Sequence, residues 1–236
     1  MKILTDLHTH TVASDHGYCT IIENAKAASE KGIQLIAMTD HGPAASDGAN
    51  PFYFEGISDE YGFVPKKLHG VTILSGIEAN IINENGELDL SEKILKGLDI
   101  VIAGCHWTPF LPDDLIKTYS YVVKNPHVDI LGHICRHKQQ DQLEEVVKLA
   151  VEHNKLVEIN ASTLERAKYA GRLENLINLC LKHRARIVVS SDAHYCDQIG
   201  DFDRVIEILK SVGYPEGLVV NRTEKSLMEW LTNRNK

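Results

Sequence analysis

Ile3-Leu4-Thr5-Asp6-Leu7-His8-Thr9-His10 is a short apolar run that ends in two histidines two positions apart. An open doubly wound sheet usually follows its first strand with a glycine-rich loop that holds phosphate on bare backbone N–H groups. Here the first candidate strand, Ile3–Asp6, runs into imidazoles instead. Strand alternation puts Asp6, His8 and His10 on one side, so two imidazoles can grip a single ion. These residues favour a closed or nearly closed β/α barrel, in which all strand ends open onto one rim.

The rest of the chain repeats the pattern. β-branched runs at Leu35–Thr39, Val71–Ile77, Ile100–Cys105, Ile130–Gly132, Leu156–Ile159 and Arg186–Ser190 alternate with amphipathic stretches. The clearest of these are Thr20–Lys31, Leu115–Lys124, Gln140–His153 and Leu173–His183, with a last helix near Glu224–Thr232. Strand followed by helix, about seven times over, predicts an α/β fold: a distorted TIM-like (β/α)7 barrel forming one domain over residues 1–236. Gly42–Tyr61, with three glycines and two prolines, reads as a long loop over the barrel mouth.

Further strands end in Thr39-Asp40-His41, Gly76-Ile77-Glu78, Gly104-Cys105-His106, Leu131-Gly132-His133 and Ser191-Asp192-Ala193-His194, and His16 follows the first strand in its loop. Any one of these is weak alone, because a solvated histidine or carboxylate is the commoner origin of each. A His, Asp or Glu at six of seven strand ends is not readily accidental. His8, His10, His16, His41, Glu78, His106, His133, Asp192 and His194 make nine candidate metal ligands, more than one ion can use. Imidazole nitrogen with carboxylate oxygen suits zinc, manganese or iron. Glu78, near the middle of the strand series, is the candidate bridge between two ions. Asp15 and Asp40 each precede a candidate ligand and are read as orienting an imidazole. His69, His127, His137, His153 and His183 are read as solvated, and Cys105 as packing outward under the helices.

The composition is that of a globular protein, with 43% hydrophobic and 25% charged residues. No apolar run approaches the ~18 residues of a membrane span, and the start lacks a signal-peptide core. A cytoplasmic protein with no membrane partner is expected. The net charge of −8 argues against a nucleic-acid partner, although bound divalent cations can still attract an anionic substrate. The five cysteines are scattered without a C-x-x-C pair, which suggests reduced thiols rather than a disulfide framework or a cysteine zinc site. Oligomeric state is left open.

Asp6-Leu7-His8-Thr9-His10-Thr11, Thr39-Asp40-His41, Gly76-Ile77-Glu78, Gly104-Cys105-His106, Gly132-His133 and Ser191-Asp192-Ala193-His194 together resemble the PHP (polymerase and histidinol phosphatase) family. Length and spacing look like its small stand-alone bacterial branch, the YcdX-like phosphatases, and the likeness covers essentially the whole chain. The resemblance implies a distorted seven-stranded barrel holding three divalent metal ions, zinc first, with manganese or iron as alternatives. It implies His8, His10, Glu78 and Asp192 on one ion; Glu78, His106 and His133 on a second; and His16, His41 and His194 on a third. It also implies a small phosphorylated substrate, for whose phosphate Arg136, Arg166 and Asn160 are candidates. With no polymerase module in the chain, no proofreading role is expected.

The expected function is therefore a metal-dependent phosphatase that hydrolyses small phosphomonoesters by attack of a hydroxide bridging two ions ~3.5–4 Å apart. Glu78, Asp192 and His194 are the expected catalytic residues, and the third ion with Arg136 would neutralise the phosphoryl oxygens. One alternative is a phosphodiesterase or exonuclease on short nucleic acids, which a basic groove would favour. The other is a non-catalytic metal-binding regulatory protein, which missing ligands would signal. Histidinol phosphate is not favoured as substrate, because members with that role tend to be longer.

Overall fold

The computed structural model describes residues 1–59, 61–106 and 110–234. Eight strands follow in chain order: β1 (Thr5–Thr9), β2 (Leu35–Met38), β3 (Lys67–Leu68), β4 (Val71–Asn80), β5 (Ile100–Gly104), β6 (Ile130–Leu131), β7 (Leu156–Asn160) and β8 (Ile187–Ser190). Seven of them lie in the order β1-β2-β4-β5-β6-β7-β8, and each neighbouring pair is parallel. The short β3 is an antiparallel addition to β4, absent from the sequence expectation. The helices are α1 (Ile21–Glu30), α2 (Pro51–Ile57), α3 (Glu92–Lys96), α4 (Leu115–Val122), α5 (Leu143–Glu152), α6 (Ala167–Lys182), α7 (Asp203–Ser211) and α8 (Glu224–Asn233).

Side-chain alternation divides the core into two layers. Leu35 and Ala37, Leu74, Ile100 and Ile102, Ile130, Leu156 and Val188 fill the barrel interior. The residues between them, such as Ile36, Met38, Val101, Val157 and Val189, pack outward under the helices. Full burial of each large aliphatic side chain contributes about 1.5–3 kcal/mol. Leu227 and Trp230 of α8 join Val220 in the interior cluster and close the end of the barrel opposite the strand C-termini.

The sheet is nearly closed, and β1 meets β8 by two unlike devices. At the rim, His10 N–H donates to the Ala193 carbonyl (2.8 Å), beside a bridge between Thr9 and Ala193. Lower down, the buried Asn221 side chain stands in for a strand. Its amide donates to the carbonyls of Thr5 (2.9 Å) and Val189 (2.7 Å), and its oxygen accepts from Val189 N–H (2.9 Å).

Several expectations need correction. β1 is Thr5–Thr9 rather than Ile3–Asp6, and it carries a bulge: pairing with β2 shifts by one residue between Asp6 and Thr9. Leu7 packs in the interior while His8, next along, also faces the interior carboxylates. A bulge re-aims a side chain in this way. Asp6 therefore does not share a side with His8. Its carboxylate accepts from Ser191 Oγ (2.6 Å) and Gly200 N–H (3.0 Å) instead. The segment Gly42–Tyr61 is not wholly loop, since Asn50 caps α2 and Pro51 sits in its first turn, where a missing N–H costs nothing; Glu60 in that segment lies outside the described residues. The short α3 and the more polar α7 were not anticipated, and α6 starts six residues before the expected Leu173.

Candidate metal centre

Nine side chains singled out from the sequence converge on the rim. Glu78, on the inward face of β4, is the hub and is 1% exposed. Its Oε1 lies 2.7 Å from His133 Nε2 and 3.1 Å from His106 Nε2. Its Oε2 lies 2.8 Å from His41 Nδ1, 3.3 Å from His8 Nε2 and 3.7 Å from His10 Nε2. Asp192 Oδ1 completes this side, 3.1 Å from His10 Nε2 and 3.5 Å from His8 Nε2. Further out, the ring of His10 lies against both His41 (4.4 Å) and His194 (4.1 Å), and His16 stacks on His194 (4.2 Å).

Several of these atoms crowd together without hydrogen bonds. His8 Nε2, both nitrogens of His41, Glu78 Oε2 and His194 Nε2 are buried and lack a hydrogen-bond partner. A buried polar atom without a partner costs about 1–3 kcal/mol, so a group of them aimed at shared points calls for a cation. The charge balance agrees. Glu78, Glu158 and Asp192 are buried carboxylates, and Arg136 is the guanidinium set among them. Burial alone would raise the pKa of Glu78, yet His8, His106 and His41 hold it well below the usual carboxylate range. Asp192 is likewise held down, against its burial, by His8, His10 and Arg136. Ionised carboxylates facing a cluster of imidazoles, which give up their protons where a metal takes their place, fit divalent transition-metal ions. Donor atoms from His8, His10 and Glu78, from His10, His41 and His194, from His41, Glu78 and His106, and from His16, His41 and Asp47 lie close enough for each trio to share an ion.

Supporting residues fix the rings. Glu158 Oε1 lies 2.6 Å from His8 Nδ1 and accepts from Ser190 Oγ, while its Oε2 accepts from the backbone N–H of His133 (2.7 Å). The contact with Glu158 keeps a proton on His8 Nδ1, which donates to the carboxylate, and leaves Nε2 free to bind a metal, as metal-binding imidazoles require. Asn80 Oδ1 does the same for His106 Nδ1 (2.7 Å), and the Asn80 amide is oriented by Gly42 O and Asp89. His194 Nδ1 donates to the Asp192 carbonyl (2.9 Å). Two of the non-glycine residues in the left-handed region lie here, His133 (φ 31°) and Asp192 (φ 58°).

Glu158, Asn80 and Asp47 escaped the sequence reading, which looked at strand ends. The signal for Glu158 was present as a charge at an inward position of the apolar run Leu156-Val157-Glu158-Ile159. Among the described residues, Asp40 makes no hydrogen bond to an imidazole. It accepts from Thr11, Ser14 and Tyr53 and so pins the turn that leads to His16. Asp15 is exposed; the carboxylate beside His16 and His41 is Asp47. His137 is not solvated: it lies 3.1 Å from the buried Tyr119 hydroxyl, and burial pushes its pKa down to about 4.

The three candidate phosphate residues separate. Arg136 Nη2 donates to Asp192 Oδ2 (3.1 Å), Asn160 Oδ1 (3.2 Å) and Ser162 Oγ (2.9 Å). Asn160 is wholly buried and donates to Asp192 Oδ2 (3.1 Å). Arg166 is exposed and lines a cleft of about 240 Å³ together with Ser162, Asp192, His194, Gln198 and Arg204. Among the described residues, no helix is long and apolar enough to cross a membrane.

A β/α barrel with this rim of imidazoles and ionised carboxylates defines a metal-dependent hydrolase. The chain belongs to the PHP domain family, whose model matches residues 6–210, and it is a metal-dependent phosphoesterase. A protein of Clostridium novyi (strain NT) named "probable phosphatase" is 42% identical over 242 residues, covering 100% of this chain and 97% of that protein. One of the same name from Caldanaerobacter subterraneus subsp. tengcongensis is 38% identical, covering 100% and 94%. Histidinol phosphate phosphatase from Lactococcus lactis, solved with zinc, L-histidinol and phosphate, superposes with a TM-score of 0.65 at 18% identity over 89% of this chain and 94% of that one.

Proposed function

We propose that this protein is a phosphatase of small phosphomonoesters, carried by one catalytic unit over residues 1–236 and dependent on three divalent ions, zinc first. The observation that carries the reading is the division of Glu78, with Oε1 turned to His106 and His133 and Oε2 to His8, His10 and His41. One carboxylate facing two sets of imidazoles suits a bridge between two ions, and His16, His41 and His194 offer a third group. When bound, such ions lower the pKa of a water and neutralise charge on phosphoryl oxygens. The relatives named as phosphatases, and the zinc and phosphate in the Lactococcus structure, support the same reading.

The chain's own residues supply position. Glu158 and Asn80 hold the rings of His8 and His106, so donor atoms are preset before substrate enters. Arg136 keeps Asp192 ionised and aimed at His10, and its Nη1 has no protein partner among the described residues, leaving N–H groups for a phosphoryl oxygen. Ser162 and Asn160 hold that guanidinium in place. The cleft beside Asp192 and His194, with Arg166 at its edge, has room for the organic part of a small metabolite.

Elemental analysis of the purified protein, paired with hydrolysis of para-nitrophenyl phosphate and its bis-ester, tests the proposal. The expected result is about three ions per chain with monoester cleavage. Faster cleavage of the diester would replace it with a phosphodiesterase, and a protein with ions but neither activity would reduce it to a binding role.

A further inference from the structure

Two cysteines meet behind the outermost imidazoles. Cys19 lies three residues beyond His16, and Cys196 two beyond His194. The Cys196 backbone N–H donates to Cys19 Sγ at 3.2 Å. The loops that carry them are also joined by Tyr18 N–H to the His194 carbonyl (2.9 Å). Cys19 is buried, while Cys196 opens the short turn Cys196–Gln198 and is half-buried, so solvent reaches the pair from one side. Cys135 and Cys180, by contrast, are both 0% exposed.

We propose that Cys19 and Cys196 form a disulfide under oxidising conditions, a covalent latch between the loop of His16 and the loop of His194. A sulfur so close to its partner's backbone places the two residues within ordinary disulfide reach. With hydrogen peroxide as oxidant, the more accessible Cys196 thiol gains one oxygen to become a sulfenic acid and releases one water. The Cys19 sulfur then attacks that sulfur, the S–S bond forms, and the hydroxyl leaves with the Cys19 proton as a second water. Two S–H bonds are lost, one S–S bond is gained, and the peroxide is reduced to water.

The latch has a defined consequence. His16 and His194 stack at 4.2 Å, and His16 is the most exposed of the candidate ligands, at 47% for its side chain. Tying their loops together removes the opening motion by which an ion in this outer group would be lost.

The reduced, metal-loaded protein is incubated with peroxide or diamide, alkylated under denaturing conditions and digested. The expected result is a cross-linked peptide pair containing Cys19 and Cys196, abolished by Cys19→Ser and by Cys196→Ser. Alkylation of both residues after exhaustive treatment, or cross-links only between chains, would overturn the proposal. The second readout is metal release to excess chelator: the disulfide form should lose one class of ion several-fold more slowly than the reduced form. Equal release rates would remove the latch even with the disulfide present. Neither measurement depends on the protein being a phosphatase.

Discussion

Glu78 is the residue on which the centre depends most, because each of its oxygens faces a separate group of imidazoles. Glu78→Gln keeps the shape but turns one oxygen into an N–H donor aimed at nitrogen lone pairs. Bound metal should fall by at least one ion per chain and kcat/KM by more than about 100-fold, beyond the range typical of supporting residues. Full metal content in the variant would show that Glu78 is not the bridge. Glu158→Gln keeps an acceptor for His8 Nδ1 but loses the charge and turns its other oxygen into an N–H donor facing the His133 N–H. Metal affinity should weaken about 10–100-fold, read by competition with a chromogenic chelator, with little change in kcat once the protein is saturated. His137 gives a prediction in pH. Burial pushes its pKa down from 6.5 to about 4, so the folded ring stays neutral where an unfolded one takes a proton. Its contribution to stability is therefore complete above pH 6.5, shrinks as pH falls toward 4, and amounts to about 3 kcal/mol in all. The acid limb of a urea-midpoint series should be shallower in His137→Gln than in the parent, and an unchanged limb would show that the buried ring does not set it.

At the scale of elements, strand ends were legible because chemistry sits there in an otherwise apolar pattern: His41, Glu78, His106, His133 and Asp192 each follow a β-branched run. What sits inside a strand or depends on pairing register was not. The bulge in β1 is a one-residue mismatch with β2, which no feature of Thr5–Thr9 announces, and it reverses the side expected for Asp6 relative to His8. Glu158 acts from an inward position of β7, where a reader looking for ligands at strand ends passes over it, while Asn80 is the last residue of β4, three beyond the end expected at Ile77. The short α2 was hidden because Asn50-Pro51 reads equally as a turn until its cap is seen. Glycine in β5 has a similar positional meaning. A Cβ on Gly104 would stand 3.1 Å from His133 Cε1 and 3.2 Å from its Nε2. The ring cannot give way easily, because the His133 N–H is held by Glu158 and its backbone is in the left-handed region. Gly104→Ala should lower metal affinity about 10-fold or more by displacing that ring, while the melting temperature of the metal-free protein shifts by only a few degrees. A variant that binds metal normally would show that the space above Gly104 is slack.

For the whole molecule, the weak line of the barrel is the seam between β1 and β8, where a bridge at the rim and the Asn221 side chain lower down replace a full ladder. The rim end is also where His8, His10 and Asp192 crowd together, so bound cations would tie the seam at the top whatever happens below. Asn221 holds the lower end with three buried hydrogen bonds, two donated to Thr5 O and Val189 O and one accepted from Val189 N–H. Asn221→Ala strands an N–H and two carbonyls in an apolar interior, at about 1–3 kcal/mol for each group left unsatisfied. Asn221→Asp is the harsher change, since it keeps the acceptor but points a carboxylate oxygen at those carbonyls and buries a charge. In urea melts of metal-free protein, stability should fall in the order parent, Ala, Asp, with Ala costing about 3 kcal/mol or more. With metal present the same substitutions should cost less in apparent rate of unfolding, because ligands drawn from both strands keep the rim closed after the lower seam opens. If Asn221→Ala cost less than about 1 kcal/mol without metal, the side chain would not be a structural strand substitute, and closure would rest on the rim and on α8.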